Sequence, residues 1–202
     1  QPIQPTDVVR GQYIGYHDEP GVAPDSETET FVALKCYVDN WRWAGVPFYL
    51  RTGKRLAERD SHIVVNFRDV PHPIFPGTRQ ANKLVIKLQP EEQIELMLMH
   101  KTPGLDRSGL KLAQGTLDLD VHDAFAQSRR RLAYERLYLD AIEGNGTLFV
   151  RRDEVEAQWK WVDAIRELWK TTGLKPKNYG AGGWGPNAAI ALVERDGVSW
   201  HE

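Results

Sequence analysis

Cysteine is nearly absent. Cys36 is the only one in 202 residues, so no intrachain disulfide can staple the fold, and a reducing, cytoplasmic setting is expected. No apolar run approaches the roughly 18 residues of a membrane span, so no membrane partner is expected. Charge of one sign is also lacking: 26 basic and 28 acidic residues leave a net charge of -2, which argues against a nucleic-acid partner bound by phosphate neutralisation. The first residues carry neither a basic start nor an apolar stretch, so no signal peptide is expected, and a chain beginning at Gln reads as a piece of something larger. Length and a composition of 41% hydrophobic and 27% charged residues fit one domain, residues 1–202.

Motifs of common chemistries are missing too. No G-x-G-x-x-G follows a strand and opens a helix, and there is no P-loop and no Ser nucleophile elbow. His17, His62, His72, His100, His122 and His201 share no metal-ligand spacing, so no metal is expected. His17-Asp18-Glu19 and His122-Asp123 place a base beside a carboxylate, but neighbours on a strand point to opposite faces, and such loops are ordinarily solvated. No catalytic residue is assigned. The cluster Gly180-Ala181-Gly182-Gly183-Trp184-Gly185 has amides able to cradle a phosphate, yet it follows a helix and precedes a proline, and a flexible loop is the plainer reading.

What is present is strand-rich first and helix-rich later. Strands are expected over 10–16, 30–39, 47–51, 62–69, 82–89 and 93–101, the last two joined by a turn at Pro90-Glu91-Glu92. Along 30–39, Phe31, Ala33, Lys35 and Tyr37 alternate with Val32, Leu34, Cys36 and Val38, so both faces are mostly apolar and the sheet should be covered on both sides. Residues 133–143 place Tyr134, Leu137, Tyr138, Ala141 and Ile142 at helical spacing before Gly144. Residues 153–171 form a longer helix with the stripe Val155, Trp159, Val162, Ile165 and Trp169, and Asp153, Glu154 and Glu156 complement its dipole. A last short helix starts near Pro186 and stops before Gly197. Strands ahead of helices argue for an α+β fold with a mostly antiparallel sheet.

The segment 40–59 is the most informative. An apolar strand runs into four cations within nine residues, Arg51, Lys54, Arg55 and Arg59, and Gly53 permits a sharp turn or close approach of a ligand. Converging cations would give a phosphorylated sugar charge-assisted hydrogen bonds. Spacing does not establish convergence: on a regular helix Arg55 and Arg59 share a face, whereas Lys54 and Arg59 diverge.

The run R-W-A-G-V-P-F-Y-L-R-T-G-K-R-L from Arg42 to Leu56 resembles the signature of the glucose-6-phosphate dehydrogenase family. Other pieces match in order: Arg10-Gly11-Gln12-Tyr13, the strand from Asn82 to Pro90, Ala133-Tyr134-Glu135-Arg136-Leu137 through Asp140, Phe149-Val150-Arg151 with Asp153-Glu154-Val155, and Gly185-Pro186. The resemblance covers nearly the whole chain and corresponds to the family's C-terminal domain. It implies a large antiparallel sheet with helices on one face, the other face serving subunit association, and hence a homodimer or homotetramer. It also implies oxidation of glucose 6-phosphate at C1 to the lactone with NADP or NAD, the first step of the pentose phosphate pathway. By the same resemblance Lys54 and Arg59 contact the substrate, and Gln89 is a weaker third contact. Some members hold a second, structural NADP. Arg51 and Lys87 match two of its cations, but Asp60 and Val64 stand where those members have basic residues, so a tight second site is not expected.

The family's Gly-rich coenzyme turn and its D-H-Y-x-G-K segment do not occur in this sequence. The catalytic NADP would therefore be bound mainly by an N-terminal domain absent from this chain, and the isolated chain is expected to be inactive. Two non-enzymatic readings stand beside this one: a self-association module, and a sugar-binding domain using the seven tryptophans.

Overall fold

Alternation along the chain becomes strands, and the helical stripes become helices, in the computed structural model, which describes residues 2–72, 80–104, 111–124, 126, 127 and 133–201. In chain order the elements are β1 (Val8–Tyr13), β2 (Phe31–Tyr37), β3 (Pro47–Gly53), β4 (Ser61–Asn66), β5 (Lys83–Gln89), β6 (Gln93–Lys101), β7 (Leu112–Asp120), α1 (Val121–Ala124), α2 (Ala133–Glu143), α3 (Arg152–Thr172), β8 (Lys177–Tyr179) and α4 (Asn187–Glu194). They form two units, Gln1–Glu58 with Ala133–Glu202, and Arg59–Leu132. The α+β class and the antiparallel pairing agree with the sequence reading. The strands, however, divide into two four-stranded sheets instead of one large one.

The first unit carries the sheet β3-β2-β1-β8, in which β8 joins β1 in parallel and the other pairs are antiparallel. Period-two alternation sends Phe31 and Ala33 of β2 with Val9 and Tyr13 of β1 to one face, where they meet Ala189 and Leu192 of α4 and Tyr179 of β8. The opposite face sends Val8 and Leu34, with Val32 and Cys36 beside them, against Ile165 and Trp169 of α3. Helices thus flank this sheet on both sides, which is why β2 is apolar on both faces.

Helix α3 begins where the Arg151 N–H donates to Glu154 Oε2 at 2.8 Å and ends at Gly173, whose φ of 64° supplies the left-handed cap. Its C-terminal end is fastened to the sheet by Arg10, whose guanidinium lies 4.8 Å from the Trp169 ring centre and donates to the Leu174 carbonyl at 3.1 Å. Only part of the expected stripe is buried: Ile165 and Trp169 are covered, while Val155 and Trp159 are exposed. Helix α2 likewise leaves Tyr134, Tyr138 and Ile142 exposed and buries Asp140, which is held by Arg136 and Asn145.

The second unit is an antiparallel meander, β4-β5-β6-β7. Register sorts its side chains by face. Ile63, Leu84, Ile86, Ile94, Leu96, Leu117 and Leu119 share one, and His62, Lys83, Lys87, Gln93, Glu95 and Asp118 share the other with the buried Val85. Strand β7 escapes the sequence reading because Gly115 interrupts it. That glycine is required there: a Cβ would come within 2.8 Å of the His100 ring.

Just past α4, Asp196 Oδ2 accepts from Lys35 Nζ at 2.7 Å and from Tyr49 OH at 2.6 Å, tying that end to β2 and β3. Lys35 and Tyr49 hold the Asp196 carboxyl below its ordinary 3.8, so its contribution is fully present above that pH and is lost as pH falls through the lower folded value. Asp196→Asn should lower stability by about 1 kcal/mol at neutral pH. In thermal unfolding, the gap to the unsubstituted protein should narrow as pH is lowered below 3.8.

Candidate functional site

The four cations between residues 51 and 59 do not behave alike. Arg51 is clasped between two indoles, its guanidinium 4.8 Å from the ring centres of both Trp184 and Trp200. Arg55 pairs with Glu19 and lies 5.2 Å from the Tyr13 ring centre. Lys54 and Arg59 are exposed, and neither forms an ion pair with a described residue. Two of the four charges are thus engaged by partners within the protein, and two are exposed without an ion-pair partner among the described residues.

Lys54 stands at a corner whose backbone is fixed on both sides. Gly53 closes β3 where a Cβ would come within 2.8 Å of the Phe31 ring. The Lys54 N–H donates to the Thr30 carbonyl at 2.8 Å, and the Lys54 carbonyl accepts from the Tyr179 hydroxyl at 2.7 Å. Burial pushes the Tyr179 pKa up, which keeps that hydroxyl a donor. The next residue, Arg55, has a φ of 50°, and its carbonyl accepts from the Gly182 N–H at 2.9 Å. Leu56 bridges to Gly183, and the Ala57 N–H donates to the Gly183 carbonyl at 3.0 Å. The 180–185 loop is therefore neither a loose connection nor a phosphate cradle. It is a backbone brace for residues 55–57.

Arg59 opens the second unit and Gln89 ends β5. Ser61, the first residue of β4, is registered opposite Gln89, so these two candidates stand at the same end of one strand pair. Lys54 belongs to the first unit, five residues upstream of Arg59 along the chain.

The His17-Asp18-Glu19 candidate is not assembled into a site. His17 Nε2 contacts the Ser26 carbonyl at 2.9 Å, while its neighbour Glu19 is taken by Arg55. The His122 side chain lies outside the described residues. Asp60 pairs with His62, an association the sequence reading did not raise. No group of three metal-ligating side chains occurs among the described residues, and no helix of the described residues is long and apolar enough to cross a membrane. Lys87, the second cation matched to a structural dinucleotide site, is engaged by Glu95 at 2.7 Å and Gln93 at 3.1 Å. With Arg51 clasped by tryptophans, both matched cations have partners within the protein.

Tyr179 and Thr30 are the neighbours of the candidate Lys54 that sequence reasoning missed. Tyr179 is 125 residues from Lys54, on a strand of only three residues with no periodicity to read.

Comparison with known proteins bears on the whole chain. The family model described as "Glucose-6-phosphate dehydrogenase, C-terminal domain" matches residues 1–201. The chain belongs to this family. It is 57% identical to a glucose-6-phosphate 1-dehydrogenase of Zymomonas mobilis, over 98% of this chain and 43% of that protein. It is 48% identical to that of Mycolicibacterium smegmatis, over 96% of this chain and 41% of that protein. A solved glucose-6-phosphate dehydrogenase in complex with its substrate glucose 6-phosphate superposes with a TM-score of 0.88 at 33% identity, covering 100% of this chain and 43% of the other. The Mycobacterium avium enzyme superposes with a TM-score of 0.80 at 34% identity, covering 100% and 41%. The chain thus spans about two-fifths of the length of these family members.

Gly185 is the most constrained point of the brace, with a φ of 101° and no room for a Cβ against the Phe31 ring. Gly185→Ala should destabilise the first unit by about 2 kcal/mol or more, read as a lower denaturation midpoint.

Proposed function

We propose that residues 1–202 act as the substrate-side, C-terminal domain of a glucose-6-phosphate dehydrogenase. In this reading Lys54 holds the phosphorylated sugar, Arg59 supplies a second contact and Gln89 a third. The observation that carries it is the sorting of the cations: Arg51 and Arg55 are engaged by protein partners, whereas Lys54 is exposed on a corner with both backbone groups fixed. The solved neighbour named for its complex with glucose 6-phosphate supports the choice of ligand.

Oxidation at C1 moves a hydride to NADP and the hydroxyl proton to a base, leaving the lactone. This chain's part is binding: an ammonium and a guanidinium orient the anionic sugar by charge-assisted hydrogen bonds. The base and the main coenzyme contacts belong to the remainder of a full-length protein, which is this chain's first partner. With Arg51 and Lys87 already engaged, the reading includes no second, structural dinucleotide. A reducing cytoplasmic setting fits the single cysteine.

In the full-length protein, Lys54→Ala should raise the KM for glucose 6-phosphate roughly 10- to 100-fold while the coenzyme KM stays unchanged. An unchanged sugar-phosphate KM would remove the basis of this reading. The isolated chain should form no NADPH in a spectrophotometric assay, and turnover near that of a complete enzyme would overturn the division of labour.

Self-association is the second part of the proposal. The apolar face of the β4–β7 sheet leaves Ile63, Leu88, Ile94, Leu117 and Leu119 exposed, between 39% and 64%. Such a contiguous patch is costly in water and fits the same patch of a second copy. Leu117→Asp should move the protein to a smaller species in sedimentation. A species of unaltered size would count against this face.

A further inference from the structure

A surface lysine does not ordinarily need a buried tyrosine. Tyr179 is 4% exposed, its ring packed 5.5 Å from Phe31 and 6.3 Å from Tyr13, centre to centre, yet its hydroxyl reaches the main chain of Lys54. The hydroxyl is one link in a directed series. The Tyr13 N–H donates to Thr30 Oγ1 at 3.0 Å. Thr30 Oγ1 stands 3.0 Å from the Tyr179 hydroxyl, which lies 2.7 Å from the Lys54 carbonyl. That carbonyl can only accept and is nearer than the Thr30 carbonyl at 3.2 Å, so Tyr179 donates to it, and Thr30 Oγ1 donates in turn to Tyr179. Each link polarises the next, and the Tyr13–Thr30 and Thr30–Tyr179 links are buried.

The same threonine holds the other side of the corner, because the Thr30 carbonyl accepts the Lys54 N–H at 2.8 Å. The 180–185 loop, entered directly from Tyr179, then fixes Arg55 and Ala57. One buried group and the loop that follows it therefore set the direction in which the Lys54 side chain leaves the backbone.

We propose that Tyr179, supported by Thr30, is a positioning residue for Lys54 and so for recognition of the phosphorylated sugar. The proposal rests on the reading of Lys54 as the sugar-phosphate contact. Tyr179 touches no substrate. Its part is to hold the Lys54 peptide, so that the ammonium is presented to the phosphate without a search over backbone conformations.

Tyr179→Phe keeps the packed ring and removes only the hydroxyl. In the full-length protein it should raise the KM for glucose 6-phosphate about 3- to 10-fold, with kcat and the coenzyme KM within about twofold. Thr30→Val breaks the series one link earlier and should produce the same selective rise. Combined with Lys54→Ala, Tyr179→Phe should add no further increase, because the side chain it positions is gone. Thermal unfolding of each variant establishes that it is folded before its kinetics are read.

If Lys54→Ala raises the sugar-phosphate KM while Tyr179→Phe and Thr30→Val leave it within about twofold, the positioning role is overturned and the role of Lys54 stands. An equal rise from Tyr179→Phe with and without Lys54 would also overturn it, since the effect would not pass through Lys54. If Lys54→Ala itself is silent, the underlying reading falls and this proposal falls with it.

Discussion

The ring of Phe31 is the constraint around which the first unit is arranged. It is 1% exposed, and Gly11, Gly53 and Gly185 each owe their lack of a side chain partly to it. These glycines come from β1, from the end of β3 and from the loop ahead of α4. One aromatic side chain therefore holds three distant backbone segments at close approach. Because β8 pairs in parallel with β1, the segment 177–186 is delivered to this ring and to the 53–57 corner together.

That packing organises the electrostatics. A run of four cations is an unfavourable concentration of like charge unless some are engaged. The tertiary fold supplies two tryptophans for Arg51 and a carboxylate for Arg55, both drawn from elements remote in sequence. Lys54 and Arg59 remain as outward charges. In the proposed reading, the cations that face the ligand are those that find no partner at home among the described residues.

The two units solve burial differently. The first has helices on both faces of its sheet and two clusters of buried side chains. Among its described residues the second buries few side chains, Val85 in the middle of β5 among them, and leaves an apolar face exposed. A meander with so thin an interior is marginal alone, which is the physical ground for assigning its open face to association.

Much of this was written along the chain. Period-two alternation marked β2, strand-forming runs either side of a turn marked β5 and β6, and the apolar stripe with its acidic first turn and terminal glycine marked α3. The ordered motifs from Arg10 to Pro186 carried the family, and the corner at Gly53 and Lys54 was visible as a turn with charge. These are local signals, set by side-chain period and backbone permission within a few residues. The division into two sheets, the engagement of Arg51 and Arg55, the brace built by the 180–185 loop and the hold of Tyr179 on Lys54 were not visible. The last three depend on residues more than thirty positions apart being brought into contact, and the first on which strands pair. Spacing along one strand or helix carries no information about such contacts, and only the packed fold decides them.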